Sequence, residues 1–154
     1  MNVESFLAVL KKFYEYEVEY ILVGGVAVIL HDVPRVTEDI DIFVKRDSEN
    51  LEKLKQALNA VFHDPSIEDI TFQDLEEYAV VRYGTPEEYY IDIFDRIGEM
   101  FSYDDLEFET NENQGFPIRV ATVETLIKLK KGTMRKIDQA DVILLTEKLK
   151  DKKK

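Results

Sequence analysis

Between Tyr20 and Val44 the hydrophobic rhythm of the chain changes twice, and those changes restrict its fold more than any other stretch. Tyr20-Ile-Leu-Val is an unbroken apolar run of strand length. Gly24-Gly25 interrupts it, and Val26 to Leu30 continue as an apolar run that suits a helix. Glu38-Asp-Ile-Asp-Ile-Phe-Val then alternates polar and apolar. The pattern predicts a strand over about 20–23, a glycine turn, a helix to about His31 and a second strand over about 38–44. Pro34 ends the helix, because it forces Val33 into an extended conformation. A strand–Gly–helix turn presents backbone N–H groups of the kind that hold a phosphate. Along the second strand, Asp39, Asp41 and Phe43 share one face, while Ile40, Ile42 and Val44 share the other. The apolar row belongs to the core, so both aspartates face a cleft. Carboxylates this close repel one another unless a cation or a proton intervenes, and oxygen ligands suit a hard divalent cation.

The remaining elements build an α+β domain. Val3, Phe6, Leu7, Leu10, Phe13 and Tyr14 recur at helical spacing over about 3–17. Ser48 can cap a helix whose apolar stripe is Leu51, Leu54, Leu58 and Val61. The stretch from His63 to Glu77 has no clear period, and no element is predicted there. Residues 78–83 and 88–94 read as a hairpin about Gly84-Thr-Pro, and 106–110 with 116–120 as a second. Thr122 caps a helix from Val123 to Lys131 that Gly132 stops, and a last helix runs from about Met134 to Lys150. The order implies one mixed β-sheet flanked by helices, with a C-terminal helical portion. We read residues 1–154 as one domain, with a sheet core over about 18–120 and helices over about 122–150. Asp92, in Tyr90-Ile-Asp-Ile-Phe, repeats the phase of the earlier strand: Ile91 and Ile93 point inward. If the two strands are neighbours, Asp39, Asp41 and Asp92 converge.

Composition narrows the class. The 154 residues include no cysteine, which excludes disulfides and thiolate metal sites and makes a cytoplasmic location the default. No apolar run approaches the ~20 residues of a membrane helix, and no basic-then-apolar secretory leader is evident, so a membrane partner is not expected. The net charge is −12, divided as −17 over residues 1–120 and +5 over 121–154. A body this acidic repels long nucleic acid as a whole, while the basic tail offers a local contact for phosphate. The plainer account of that tail is lysines placed at a helix C-terminus, where they favour the dipole.

Each motif has an ordinary reading alone: a simple strand–helix turn, a surface ion-pair position, an isolated strand aspartate. Their shared phase and spacing carry the functional one. Gly-x-x-x-x-Gly-Lys-Ser/Thr is absent, so a P-loop is excluded. Val23-Gly24-Gly25, a 13-residue spacer, Asp39-Ile-Asp41 and the later Asp92 resemble the signature of the nucleotidyltransferase superfamily that includes DNA polymerase β. The Gly-Gly form is similar to AbiEii-type toxins and some aminoglycoside nucleotidyltransferases. Leu126-Ile-Lys-Leu-Lys130 with Arg135-Lys-Ile-Asp138-Gln-Ala-Asp141 is similar to the helical module that follows the sheet in AbiEii-like proteins.

The resemblance implies transfer of a nucleoside monophosphate from an NTP (ATP or another) to a hydroxyl, releasing pyrophosphate. It makes Asp39, Asp41 and Asp92 the catalytic and metal-binding residues of a site for two Mg2+ ions. Gly24, Gly25, Arg35, Thr37, Lys130 and Arg135 are the nucleotide-binding candidates. Most of the superfamily has Ser after the first glycine; Gly25 offers only its N–H, so phosphate binding leans on backbone and cations. For Thr37 a turn cap is the favoured reading over a phosphate contact, while Arg135 with Asp138 serves equally as an (i, i+3) helix pair. His31 and His63 have no ligand spacing and are read as structural. The acceptor is an RNA 3′ end, a protein or a small hydroxylated molecule. The alternative is a non-catalytic nucleotide sensor or partner-binding module of a toxin–antitoxin-type system, with a small partner protein.

Overall fold

A computed structural model of the protein describes residues 3–33, 36–97, 101–131 and 136–152. The helix α1 (Val3–Glu15) leads into β1 (Tyr20–Val23), α2 (Gly24–Leu30), β2 (Asp39–Val44) and α3 (Ser48–Phe62). A 3-10 turn (Pro65–Asp69) and α4 (Phe72–Glu77) precede β3 (Val80–Gly84) and β4 (Tyr90–Phe94). The two-residue strands β5 (Arg96–Ile97) and β6 (Phe101–Ser102) follow, then β7 (Phe108–Asn111), β8 (Ile118–Ala121), α5 (Val123–Lys131) and α6 (Lys136–Lys152). Six strands form one mixed sheet in the order β3-β4-β2-β1-β8-β7, and β5 pairs with β6 separately.

The decisive pairing is parallel, β2 beside β4, with Asp41 opposite Asp92 and Ile40 and Ile42 opposite Ile91 and Ile93. All four isoleucines are fully buried. A slip of one residue would turn that row to solvent and three carboxylates into the core, so burial fixes the register. Each buried isoleucine contributes about 1.5–3 kcal/mol relative to exposure. On one side of the sheet α1 packs against α3, and the Phe13 ring lies 5.1 Å from that of Tyr20. The Asn50 side chain of α3 ties down the entry to β1, accepting from the Glu19 N–H at 2.7 Å and donating to the Glu19 and Lys45 carbonyls. On the aspartate side α2 packs on β1 and β2, and α5 packs on α6.

Several expectations shift. Asp47, not Ser48, caps α3, because its carboxylate accepts from the Glu49 N–H at 2.9 Å while Ser48 begins the helix. Phe43 shares the aspartate face yet is fully buried: that face is a cleft only at the Asp39–Asp41 end. The region 63–77 holds two short helical elements, the second closed by a capping box between Thr71 and Asp74. Both expected hairpins form, each strand starting about two residues late. In the first, Thr85 binds the Tyr89 carbonyl through both its N–H and its hydroxyl. Thr122 caps α5 as expected, accepting from the Thr125 N–H at 3.2 Å. Gly132, Pro34, Arg35 and Arg135 lie outside the described residues.

Candidate active site

The turn from β1 into α2 brings backbone against a carboxylate. Gly24 has φ +69°, in the left-handed region where glycine is favoured. A Cβ built there would sit 2.7 Å from both Cβ and Cγ of Asp41. Gly24 is thus required twice, by its dihedral and by the approach of Asp41. Gly25 is buried behind it. The helix that follows is seven residues long, too short to lend much dipole, so the expected phosphate contact reduces to the glycine backbone itself.

Asp39 and Asp41 project from β2 beside Asp92 of β4, as their phase predicts. Burial, then the charges of Asp92 and Asp39, push the Asp41 carboxyl up to about 7. A hydrogen bond to Asp92 acts in the same direction, and Lys130 opposes it. Burial and the neighbouring carboxylates thus favour the protonated form of Asp41 when no cation is present. Thr37 turns back on the strand entrance: its hydroxyl lies 3.4 Å from the Asp39 N–H and 3.3 Å from the Asp39 carbonyl, the turn role expected of it.

Lys130 is buried and lies 3.2 Å from Asp141, itself buried on α6. Its ammonium is close enough to Asp41 to lower that carboxyl's pKa. Asp141 was part of the C-terminal pattern but had no role assigned from sequence. His31 Nε2 donates to the Ala121 carbonyl at 2.8 Å, a structural role as read, and His63 ends α3 with φ +48°.

One residue in contact with the carboxylates was missed. Arg82, on β3 opposite Asp92, places Nε 2.8 Å from Asp92 Oδ1 and Nη2 3.0 Å from Oδ2. Its Nη2 also lies 3.7 Å from Asp39 Oδ2, and its guanidinium carbon is 4.5 Å from the Tyr90 ring centroid. Residues 82 and 92 are symmetric about the 84–90 turn, so the hairpin register was the signal that could have found it.

The donor set is all oxygen, crowded enough for one carboxyl to keep a proton, and in chemistry it fits a hard divalent cation. Among the described residues, however, no group of three or more carboxylate or imidazole side chains stands ready to hold a metal ion. Both oxygens of Asp92 are engaged by Arg82.

The description "Nucleotidyl transferase AbiEii toxin, Type IV TA system" belongs to the family profile that matches residues 7–131. The chain belongs to that family. It is a nucleotidyltransferase, and its family is one of type IV toxin–antitoxin proteins. Solved structures share the fold. The lincosamide antibiotic adenylyltransferase LnuA, with lincomycin bound, superposes with a TM-score of 0.65 at 19% identity, covering 95% of this chain and 97% of that one. An antigenic nucleotidyltransferase-like protein from Paracoccidioides brasiliensis gives 0.59 at 18% identity, covering 92% and 72%. A putative nucleotidyltransferase from Thermotoga maritima gives 0.52 at 18% identity, covering 93% and 92%. No curated protein sequence matches the chain. No helix among the described residues is long and apolar enough to cross a membrane.

Proposed function

We propose that the protein transfers a nucleoside monophosphate from an NTP to the hydroxyl of an acceptor, using Asp39, Asp41 and Asp92. The observation that carries this is the register of β2 on β4, which sets Asp41 directly beside Asp92 on the face that also bears Asp39. Asp39 and Asp41 would hold the nucleotide-associated Mg2+, and all three aspartates a second ion. Such ions supply neutralisation of the triphosphate and a more acidic acceptor hydroxyl. Asp92 accepts the hydroxyl proton. The acceptor oxygen then forms a bond to the α-phosphorus as the bond to the bridging oxygen breaks, and pyrophosphate leaves. Gly24 and Gly25 let the phosphates approach the backbone, and Lys130 adds positive charge beside them. Arg35 and Arg135 are the other phosphate contacts in this scheme, and Thr37 orders the entry to β2. Catalysis is then mainly positioning and charge compensation.

The favoured acceptor is a small hydroxylated, cationic molecule. The acidic body attracts cations, and LnuA, which shares the fold, is an antibiotic adenylyltransferase solved with lincomycin bound. The test is incubation with α-labelled NTPs, Mg2+ and pools of aminoglycosides, lincosamides, RNA and basic proteins. Transfer of label that disappears in Asp41→Asn supports the proposal. Tight nucleotide binding with no transfer to any pool refutes it in favour of a sensor.

A further inference from the structure

Asp92 is the more enclosed of the two outer carboxylates, its side chain 10% exposed against 34% for Asp39. A carboxylate so placed needs positive charge beside it at all times, because leaving it alone carries the full desolvation cost. Arg82 now provides that charge through a two-pronged fork that occupies both oxygens, and it reaches across to Asp39 as well. The partners are not equally fixed. Asp92 is held in the sheet, whereas the Arg82 side chain is 53% exposed and rests on the exposed ring of Tyr90. Arg82 also lines a groove of about 450 Å3 beside the edge strand β3. The arginine can therefore withdraw from Asp92 and stay solvated. Asp92 cannot follow it.

We infer that Arg82 is the resident counter-cation of the carboxylate cluster. It and a divalent cation at Asp92 exclude one another, so Arg82 sets the cation affinity of that position. A cation binding there must take an oxygen that the guanidinium now holds. Until it does, both oxygens of Asp92 are committed to Arg82. Arg82 is thus a positioning residue, acting through Asp92. The inference rests on the proposed site for the identity of the cation and is independent of whether nucleotide transfer occurs.

The test is calorimetric titration of Mn2+ into the nucleotide-free protein, comparing wild type with Arg82→Gln, Arg82→Lys and the double variant Arg82→Gln/Asp92→Asn. Losing a charge-assisted fork is expected to tighten Mn2+ binding about tenfold or more in Arg82→Gln. Arg82→Lys keeps the charge but not the fork and should fall between. The gain should vanish in the double variant. Circular dichroism checks folding; should Arg82→Gln not fold, Arg82→Lys decides alone. Unchanged or weaker affinity in the folded variants, or no Mn2+ binding in any protein, overturns the inference. Tighter Mn2+ binding without label transfer leaves the inference standing and removes the transferase proposal. Transfer with unchanged affinity does the reverse.

Discussion

Asp41→Asn should stabilise the metal-free protein while removing its proposed activity. The reason is electrostatic. Burial and the neighbouring Asp92 and Asp39 raise the Asp41 carboxyl from an ordinary 3.8 to about 7. A folded-state pKa above the unfolded one gives a contribution that is complete below pH 3.8 and lost as pH rises through 7. At about 1.36 kcal/mol per pH unit, the loss between pH 4 and pH 8 is about 4 kcal/mol. Asparagine keeps the shape without the charge, so its advantage over wild type should grow from under about 1 kcal/mol at pH 4 to at most about 4 kcal/mol at pH 8. For a chain of this length that is on the order of 10 °C in Tm. Urea unfolding followed by circular dichroism, in EDTA at pH 4, 5, 6, 7 and 8, measures it. Saturating Mg2+ should close the gap by stabilising wild type selectively, by about 2.7 kcal/mol at a hundredfold excess over Kd. Parallel pH curves for the two proteins, or a less stable Asp41→Asn at pH 8, would refute the electrostatic account of this cluster.

Three further outcomes follow from the geometry. Gly24→Ala forces a left-handed alanine and drives its Cβ into Asp41, so it should cost at least about 2 kcal/mol in urea unfolding and abolish transfer; a cost under about 0.5 kcal/mol would contradict the close approach. Lys130→Met removes the ammonium that pairs with Asp141 and lowers the Asp41 pKa. It should destabilise the protein by about 3 kcal/mol and move the pH midpoint of the stability curve above 7, and an unmoved midpoint would separate Lys130 from the site. Thr122→Ala deletes the α5 cap at a cost of about 1 kcal/mol that Thr122→Ser should largely restore, read from Tm.

The elements legible in the sequence were those with a strong local signal. The glycine turn, the alternation of β2 and β4 and the stripe of α3 emerge as read, and that of α1 does so except at Tyr14, which is exposed. Thr122 was legible because capping is a three-residue matter. Where the local signal was poor, the reading failed. Residues 63–77 carry a 3-10 turn and a six-residue helix, both too short for a period to declare itself. The cap of α3 moved from Ser48 to Asp47, since either side chain can reach an N–H and only the chain's entry angle chooses. Phe43 shares the aspartates' face yet is fully buried, because strand phase says which face a residue is on, but not what covers that face.

The sequence alone determined which carboxylates could meet, since alternation obliges Asp39 and Asp41 to leave the core whenever Ile40 and Ile42 enter it, and the same holds for Asp92. That only glycine can stand at position 24 follows instead from its positive φ and the approach of Asp41, which belong to the folded chain. Tertiary structure decided the rest. Whether β2 lies beside β4 depends on long-range burial of two isoleucine rows separated by some fifty positions, which no local pattern encodes. The placement of Arg82 over Asp92 and of Lys130 beside Asp141 has the same origin. Each counter-charge comes from a different element, and only packing brings those elements within reach of the carboxylates they compensate.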